Sequence, residues 1–350
     1  WSSDVCSSDL ENFTKKPIIL IGGIITLLTV ISLVILILFW PQPNFESVSK
    51  VTIKSGSSLN ALSKHLHEKN IISNEQMFCW AVQLMGKEKK IPVGTFRLVE
   101  TKSNYDIIQQ LVYGSPELKK VRLLEGWSVK QIAKQLNDVM GFDIQKILDI
   151  SHDHKFLRKH NIKASSAEGY LFPDTYLFFD GDTPTSVLDN IVSEYTKFWR
   201  DAFRDRAREL NMSEHEIVTL ASIIEGEAIY NVERPIISGV YHNRLNIGMM
   251  LQADPTIQYI IDDGPRRLLN RDLKIDSPYN TYKHSGLPPG PINSPGAESL
   301  KAALYPEEND FIFFVARGDG YHTFTTNEKD HNIAKKQLQK LRRELRRKKV

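Results

Sequence analysis

The longest unbroken apolar stretch covers residues 18–40, where Ile, Leu and Val dominate and no charged side chain occurs. About 20 such residues cross a hydrocarbon core ~30 Å thick. Lys15 and Lys16 precede the run and Trp40 closes it, an order that suits a cytoplasmic N-terminus and an aromatic at the far interface. The pattern predicts a single uncleaved transmembrane helix over 17–40, with 11–16 in the cytoplasm and the chain after Trp40 outside it. A cleaved signal peptide is the alternative. It fits less well, because the run exceeds a usual signal core and no small-x-small site follows Trp40.

After a Pro-rich connector at 41–44 the period changes. Residues 51–66 align without gaps to residues 121–136. Each copy reads as a short alternating strand, a turn holding Gly56 or Gly126, a serine suited to N-capping (Ser58 or Ser128), and an amphipathic helix. A looser third copy runs over 94–111. Residues 168–176 alternate at Tyr170 and Phe172 before Pro173 and Asp174, which predicts a strand leading into a bend. Val187, Ile191, Tyr195 and Phe198 recur at helical spacing within 183–199. Ser213 and Glu216 form a capping box, and the helix it opens carries Ile217, Leu220, Ala221 and Ile224 on one stripe that must face a core. Gly226 then permits that helix to end or bend. Past Asn332 the chain becomes a basic helix with Lys335, Lys336, Lys340, Arg342 and Arg343, read as a solvated or frayed tail.

Composition narrows the classes. The chain has 350 residues, and its net charge of +3 is too small to suggest a nucleic-acid partner. Residues 1–10, WSSDVCSSDL, lack periodicity and look like a foreign leader; setting them aside removes Cys6 and leaves Cys79 as the one cysteine to weigh. Neither cysteine has metal-type spacing. No His-Glu-x-x-His occurs, so a zinc protease is poorly supported, and there is no Gly-x-Ser-x-Gly elbow.

The candidate chemistry lies near the end of the capped helix. At 100° per residue Glu225 falls at one edge of the apolar stripe and Glu227 at the other. Apolar neighbours and the negative end of the helix dipole would both raise the pKa of a carboxyl held there, as a general acid needs. Geometry alone does not choose between the two. Downstream, Gln252 and Asp254 flank a turn at Pro255, Tyr279, Asn280 and Tyr282 offer phenol and amide groups, and 286–291 is a Gly/Pro loop suited to shaping a cleft.

The order of these phrases is specific: Leu220-Ala221-Ser222-Ile223-Ile224-Glu225-Gly226-Glu227, then Leu251-Gln252-Ala253-Asp254-Pro255-Thr256, Tyr279-Asn280-Thr281-Tyr282 and Gly286-Leu287-Pro288-Pro289-Gly290. Together with Glu168-Gly169-Tyr170-Leu171-Phe172-Pro173-Asp174-Thr175-Tyr176, they resemble the YceG-like family of endolytic murein transglycosylases. The resemblance implies an α+β chain: a transmembrane helix, a LysM-like α/β module over 50–120, a second repeat unit or linker over 121–165, an α+β catalytic domain over 166–334, and a basic tail over 335–350. The repeats then serve either as glycan contacts or as a spacer that sets the height of the catalytic domain.

The resemblance also aligns the family's catalytic glutamate with Glu225, and implies substrate contacts at Glu168, Tyr176, Gln252, Asp254, Tyr279, Asn280 and Tyr282. It implies no metal and no organic cofactor. Its substrate would be peptidoglycan glycan strands, cut with formation of a 1,6-anhydro end, and its partners the penicillin-binding synthases. The alternatives are a non-enzymatic glycan-binding scaffold and a pyridoxal-phosphate lyase, the latter lacking a recognisable cofactor lysine.

Overall fold

The computed structural model describes residues 8–43, 49–54, 56–99, 102–262 and 264–347. Cys6 and most of the leader lie outside the described residues. Two compact units are present.

The first unit comprises residues 1–119 and 178–183. Helix α1 (Ser8–Leu38) opens it. Its segment Leu20–Leu38 has a mean hydropathy of 2.9, and its side chains are almost all uncovered until Ile37, which joins the unit's core. Strand β1 (Ser49–Ile53) leads through Gly56 to α2 (Leu59–Glu68), whose first turn is capped by Ser58. Helix α3 (Glu75–Leu84), strand β2 (Gly94–Leu98) and α4 (Asn104–Tyr113) complete it. Strands β1 and β2 pair antiparallel with Val51 opposite Phe96, and those two side chains pack with Leu62, Leu66, Phe78 and Leu111. The strand-turn-helix pattern of the first copy is thus present, and the looser copy follows it with Ser103 capping α4. Cys79 is buried on α3.

The second unit comprises residues 120–177 and 184–350. Strand β3 (Leu118–Arg122) enters it and α5 (Val129–Met140) follows a turn in which Gly126 has φ +76°. Ser128 and Gln131 form a reciprocal capping box at the start of α5. Two short helices, α6 (Ile144–His152) and α7 (His154–Lys159), precede strand β4 (Thr175–Phe179). The strand expected before Pro173 therefore lies after it. Residues 168–170 form a turn instead, closed by the Tyr170 N–H on the Ala167 carbonyl at 3.0 Å, and the Tyr176 hydroxyl donates to the Phe172 carbonyl at 2.7 Å across the next bend.

Helices α8 (Pro184–Phe198) and α9 (Asp201–Glu209) lead to α10 (Glu214–Glu227). The predicted capping box at Ser213 and Glu216 is formed. The stripe is wider than the spacing suggested: every residue from Ile217 through Ile224 is buried, so α10 is enclosed on all sides. Around it stand α11 (Arg234–Asn246), α12 (Asp254–Ile260) and α13 (Ala297–Leu304). Strands β5 (Phe313–Ala316) and β6 (His322–Thr325) form a hairpin, and α14 (Glu328–Arg347) packs against both. The basic segment from Lys335 is thus ordered helix: Ala334 is buried, and Leu338 and Leu341 approach Gly318 at the hairpin turn.

Candidate active site

Glu225 sits in the last turn of α10, and its side chain is only 6% exposed. One oxygen, Oε1, accepts from Arg234 Nη2 at 2.8 Å; the other, Oε2, accepts from the Gly296 N–H at 2.9 Å. Its two polar partners are therefore a guanidinium and an amide, which the apolar-stripe pattern does not foresee. Arg234 is itself fixed, with Nε donating to Ser299 Oγ at 2.8 Å and Nη1 donating to Asn231 Oδ1.

The Gly/Pro loop reaches Glu225 because α10 ties it down. The Ile292 N–H donates to Ser222 Oγ at 3.0 Å, and Asn293 Nδ2 donates to the Ser222 carbonyl at 2.8 Å. On its other side the loop holds the turn after β3. The Gly126 N–H donates to the Ser294 carbonyl at 2.9 Å and the Ser294 N–H to the Trp127 carbonyl at 2.8 Å. This brings Glu125 to the same place. Burial raises the Glu125 carboxyl above the usual carboxylate range, and the charge of Glu225 adds to that, while Arg234 opposes it. Sequence reasoning passed over Glu125, Arg234 and Gly296. The available signal was the turn itself, where the second repeat carries Glu125-Gly126 and the first carries Ser55-Gly56.

A second carboxyl cluster forms around Glu227. Tyr241 donates its hydroxyl to Glu227 Oε1 at 3.1 Å, and the Tyr282 hydroxyl donates to Asp254 Oδ1 at 2.5 Å. Burial first, and the nearby Asp254 charge second, push the Glu227 carboxyl up to about 7. So Asp254 and Tyr282 gather about Glu227.

The other predicted residues lie away from these two carboxyl clusters, with Glu168 and Tyr279 near enough for the charge of the one to act on the phenol of the other. Glu168 is buried and accepts from the Val129 N–H at 3.1 Å, at the first turn of α5; burial pushes its carboxyl up to about 8. Tyr176 closes the 172–176 bend described above. Asn280 is fully buried, with Nδ2 donating to the Leu273 and Ile275 carbonyls and Oδ1 accepting from the Tyr282 N–H. Gln252 is exposed in the left-handed region, φ +47°, its N–H on the Thr281 carbonyl. Tyr279 lies against Tyr259 with ring centroids 5.1 Å apart. A surface cavity of about 530 Å³, lined by residues including Arg206, His242 and Asn309, contains none of the predicted site residues. Among the described residues, no group of three or more His, Cys, Asp or Glu side chains has the arrangement of a metal site.

A mixed helix-and-strand chain with an apolar N-terminal helix and carboxyls at the end of an enclosed helix is the class defined so far. The model of the YceG-like family matches residues 51–337, and the chain belongs to that family. It is 33% identical over 310 residues to a Bacillus subtilis protein named endolytic murein transglycosylase, covering 84% of this chain and 86% of the relative. A Streptococcus pneumoniae protein of the same name is 27% identical over 83% of this chain, which spans 59% of that longer relative. The crystal structure of a yceG-like protein from Listeria monocytogenes superposes with a TM-score of 0.57 at 30% identity, covering 82% of this chain and 99% of the other.

Proposed function

We propose that this chain is a membrane-anchored lytic transglycosylase that cuts the β-1,4 bond between N-acetylmuramic acid and N-acetylglucosamine within peptidoglycan strands. The observation that carries the reading is Glu225 at the end of α10, its carboxyl held by Arg234 and the Gly296 N–H in a chain of this family. Glu225 gives its proton to the departing O4 as the C1–O4 bond breaks. It then accepts the proton of the muramic C6 hydroxyl as O6 bonds to C1, leaving a 1,6-anhydro end. The proton count closes on one carboxyl, so no activated water is needed.

Helix α1 holds the chain in the cytoplasmic membrane, with the second unit outside. The first unit acts as a LysM-like module, in contact with glycan or as a spacer. The penicillin-binding synthases, which make the nascent strands, are the partners this placement suits.

The test is the rate of anhydro-end formation from purified glycan strands, with products identified by mass. Glu225→Gln preserves the shape and removes the transferable proton, so the rate should fall about 10²–10⁴-fold or more. A second reading makes Glu227 the acid, since its carboxyl, at about 7, is poised to hold a proton near neutrality. Under that reading Glu227→Gln loses the activity and Glu225→Gln keeps it. If both variants stay active, the single-acid mechanism fails.

A further inference from the structure

Two carboxyls meet at Gly296. Glu225 Oε2 takes its N–H at 2.9 Å, and Glu125 occupies the space where a side chain would stand. A Cβ built on Gly296 would lie 2.0 Å from Glu125 Oε1 and 2.3 Å from its carboxyl carbon. From the other direction, a Cβ on Gly126 would lie 3.7 Å from Glu225 Cγ, so the turn carrying Glu125 stands one side-chain atom away from Glu225. Two backbone hydrogen bonds between that turn and Ser294 fix the approach. The position of Glu125 is built by the fold.

We propose that Glu125 is a positioning carboxyl for Glu225, the two sharing one proton opposite the Arg234 guanidinium so that Glu225 enters the reaction protonated. This rests on the reading of Glu225 as the acid. Burial first, and the charge of Glu225 second, raise the Glu125 carboxyl, so Glu125 is the member of the pair that retains a proton to share. The charged groups facing Glu125 support such sharing. Glu225 on α10 and Glu298 on α13 both disfavour a second negative charge, and Arg234 on α11 favours it. Arg234 directs Nη2 to Glu225, Nε to Ser299 and Nη1 to Asn231. Glu298 is offset by Lys301 at 2.7 Å.

The experiment compares pH profiles of kcat/KM for anhydro-end formation by the full chain in detergent. Glu125→Gln keeps the volume and removes the second titrating group. The alkaline limb should move toward acid, by about one pH unit for each tenfold loss above the limb, with KM within about twofold. Gly296→Ala is the second variant. At φ −74° alanine is unstrained there, and its methyl displaces the Glu125 carboxyl while leaving the Gly296 N–H in place. It should move the limb in the same direction, and it carries the test if Glu125→Gln does not fold. An unmoved limb in a folded variant, whether activity is normal or lowered equally at every pH, overturns the proposal. Glu225→Gln is measured in parallel: if it stays active, the reading of Glu225 falls first, and the two failures are distinguished.

Discussion

At the residue scale, Gly226 shows how a sequence rule and a packing constraint can fall on one position. A glycine one position past Glu225 permits a helix to end, and α10 ends one residue later, at Glu227. The glycine is also required by contact: a Cβ there would lie 2.6 Å from Pro255 Cβ and 2.8 Å from Pro255 Cγ. A proline ring cannot rotate away as the end of a long side chain can. Gly226→Ala should therefore destabilise the chain by about 1–3 kcal/mol, against the ~1 kcal/mol that helix propensity alone would add in its favour. Thermal unfolding should fall by several degrees, and activity should drop because α12 carries Asp254 beside Glu227. A raised melting temperature would show that α12 yields without cost.

At the element scale, the patterns that were legible are those written within a few residues. Alternation, a glycine and a capping serine within 16 positions were enough to locate β1 with α2 and β3 with α5. The capping box of α10 was equally local. The enclosure of α10 was not legible, because Thr219 and Ser222 interrupt the apolar stripe; both bury their hydroxyls on backbone carbonyls, His215 and Thr219 respectively. Nor could spacing show that Glu125, 100 positions before Glu225, shares its site, since that meeting depends on a loop returning from 292–296.

Helix α5 carries a testable consequence. Burial raises the Glu168 carboxyl from 4.5 to about 8, and the Val129 N–H offsets part of that cost. A group whose folded value is raised contributes stability that is fully present below its unfolded value. That contribution is lost as pH rises through the folded value. The melting temperature should thus fall between about pH 5 and about pH 8–9, with Glu227 adding to the same slope through its value near 7. Glu168→Gln keeps an acceptor for Val129 and cannot ionise, so its melting temperature should be flatter over that window. Thermal unfolding of both proteins across the range decides the matter. A slope unchanged by Glu168→Gln would place the titration elsewhere.

At the scale of the whole molecule, the question is what the apolar helix does. Leu20–Leu38 leaves nearly its entire apolar surface uncovered, and only its last residues, through Ile37, enter the first unit's core. Nineteen such residues satisfy the length of a span, and a signal sequence would satisfy it too. The junction gives a testable difference between the two. Asn104 Nδ2 donates to the Ile37 carbonyl at 2.9 Å and Oδ1 accepts from Gln42 Nε2 at 2.8 Å, so the end of the helix and the connector are both tied to α4. Cleavage after the span would discard Ile37 from the core and leave Asn104, which is fully buried, without one partner. The chain should therefore stay full-length in the membrane fraction after alkaline carbonate washing. With Lys15 and Lys16 ahead of the span, a reporter fused after Val350 should be active outside the cytoplasm. A soluble product shortened by the length of the span would show a signal peptide instead. A reporter active only in the cytosol would separate the second unit from peptidoglycan, and the proposed reaction would fall with it.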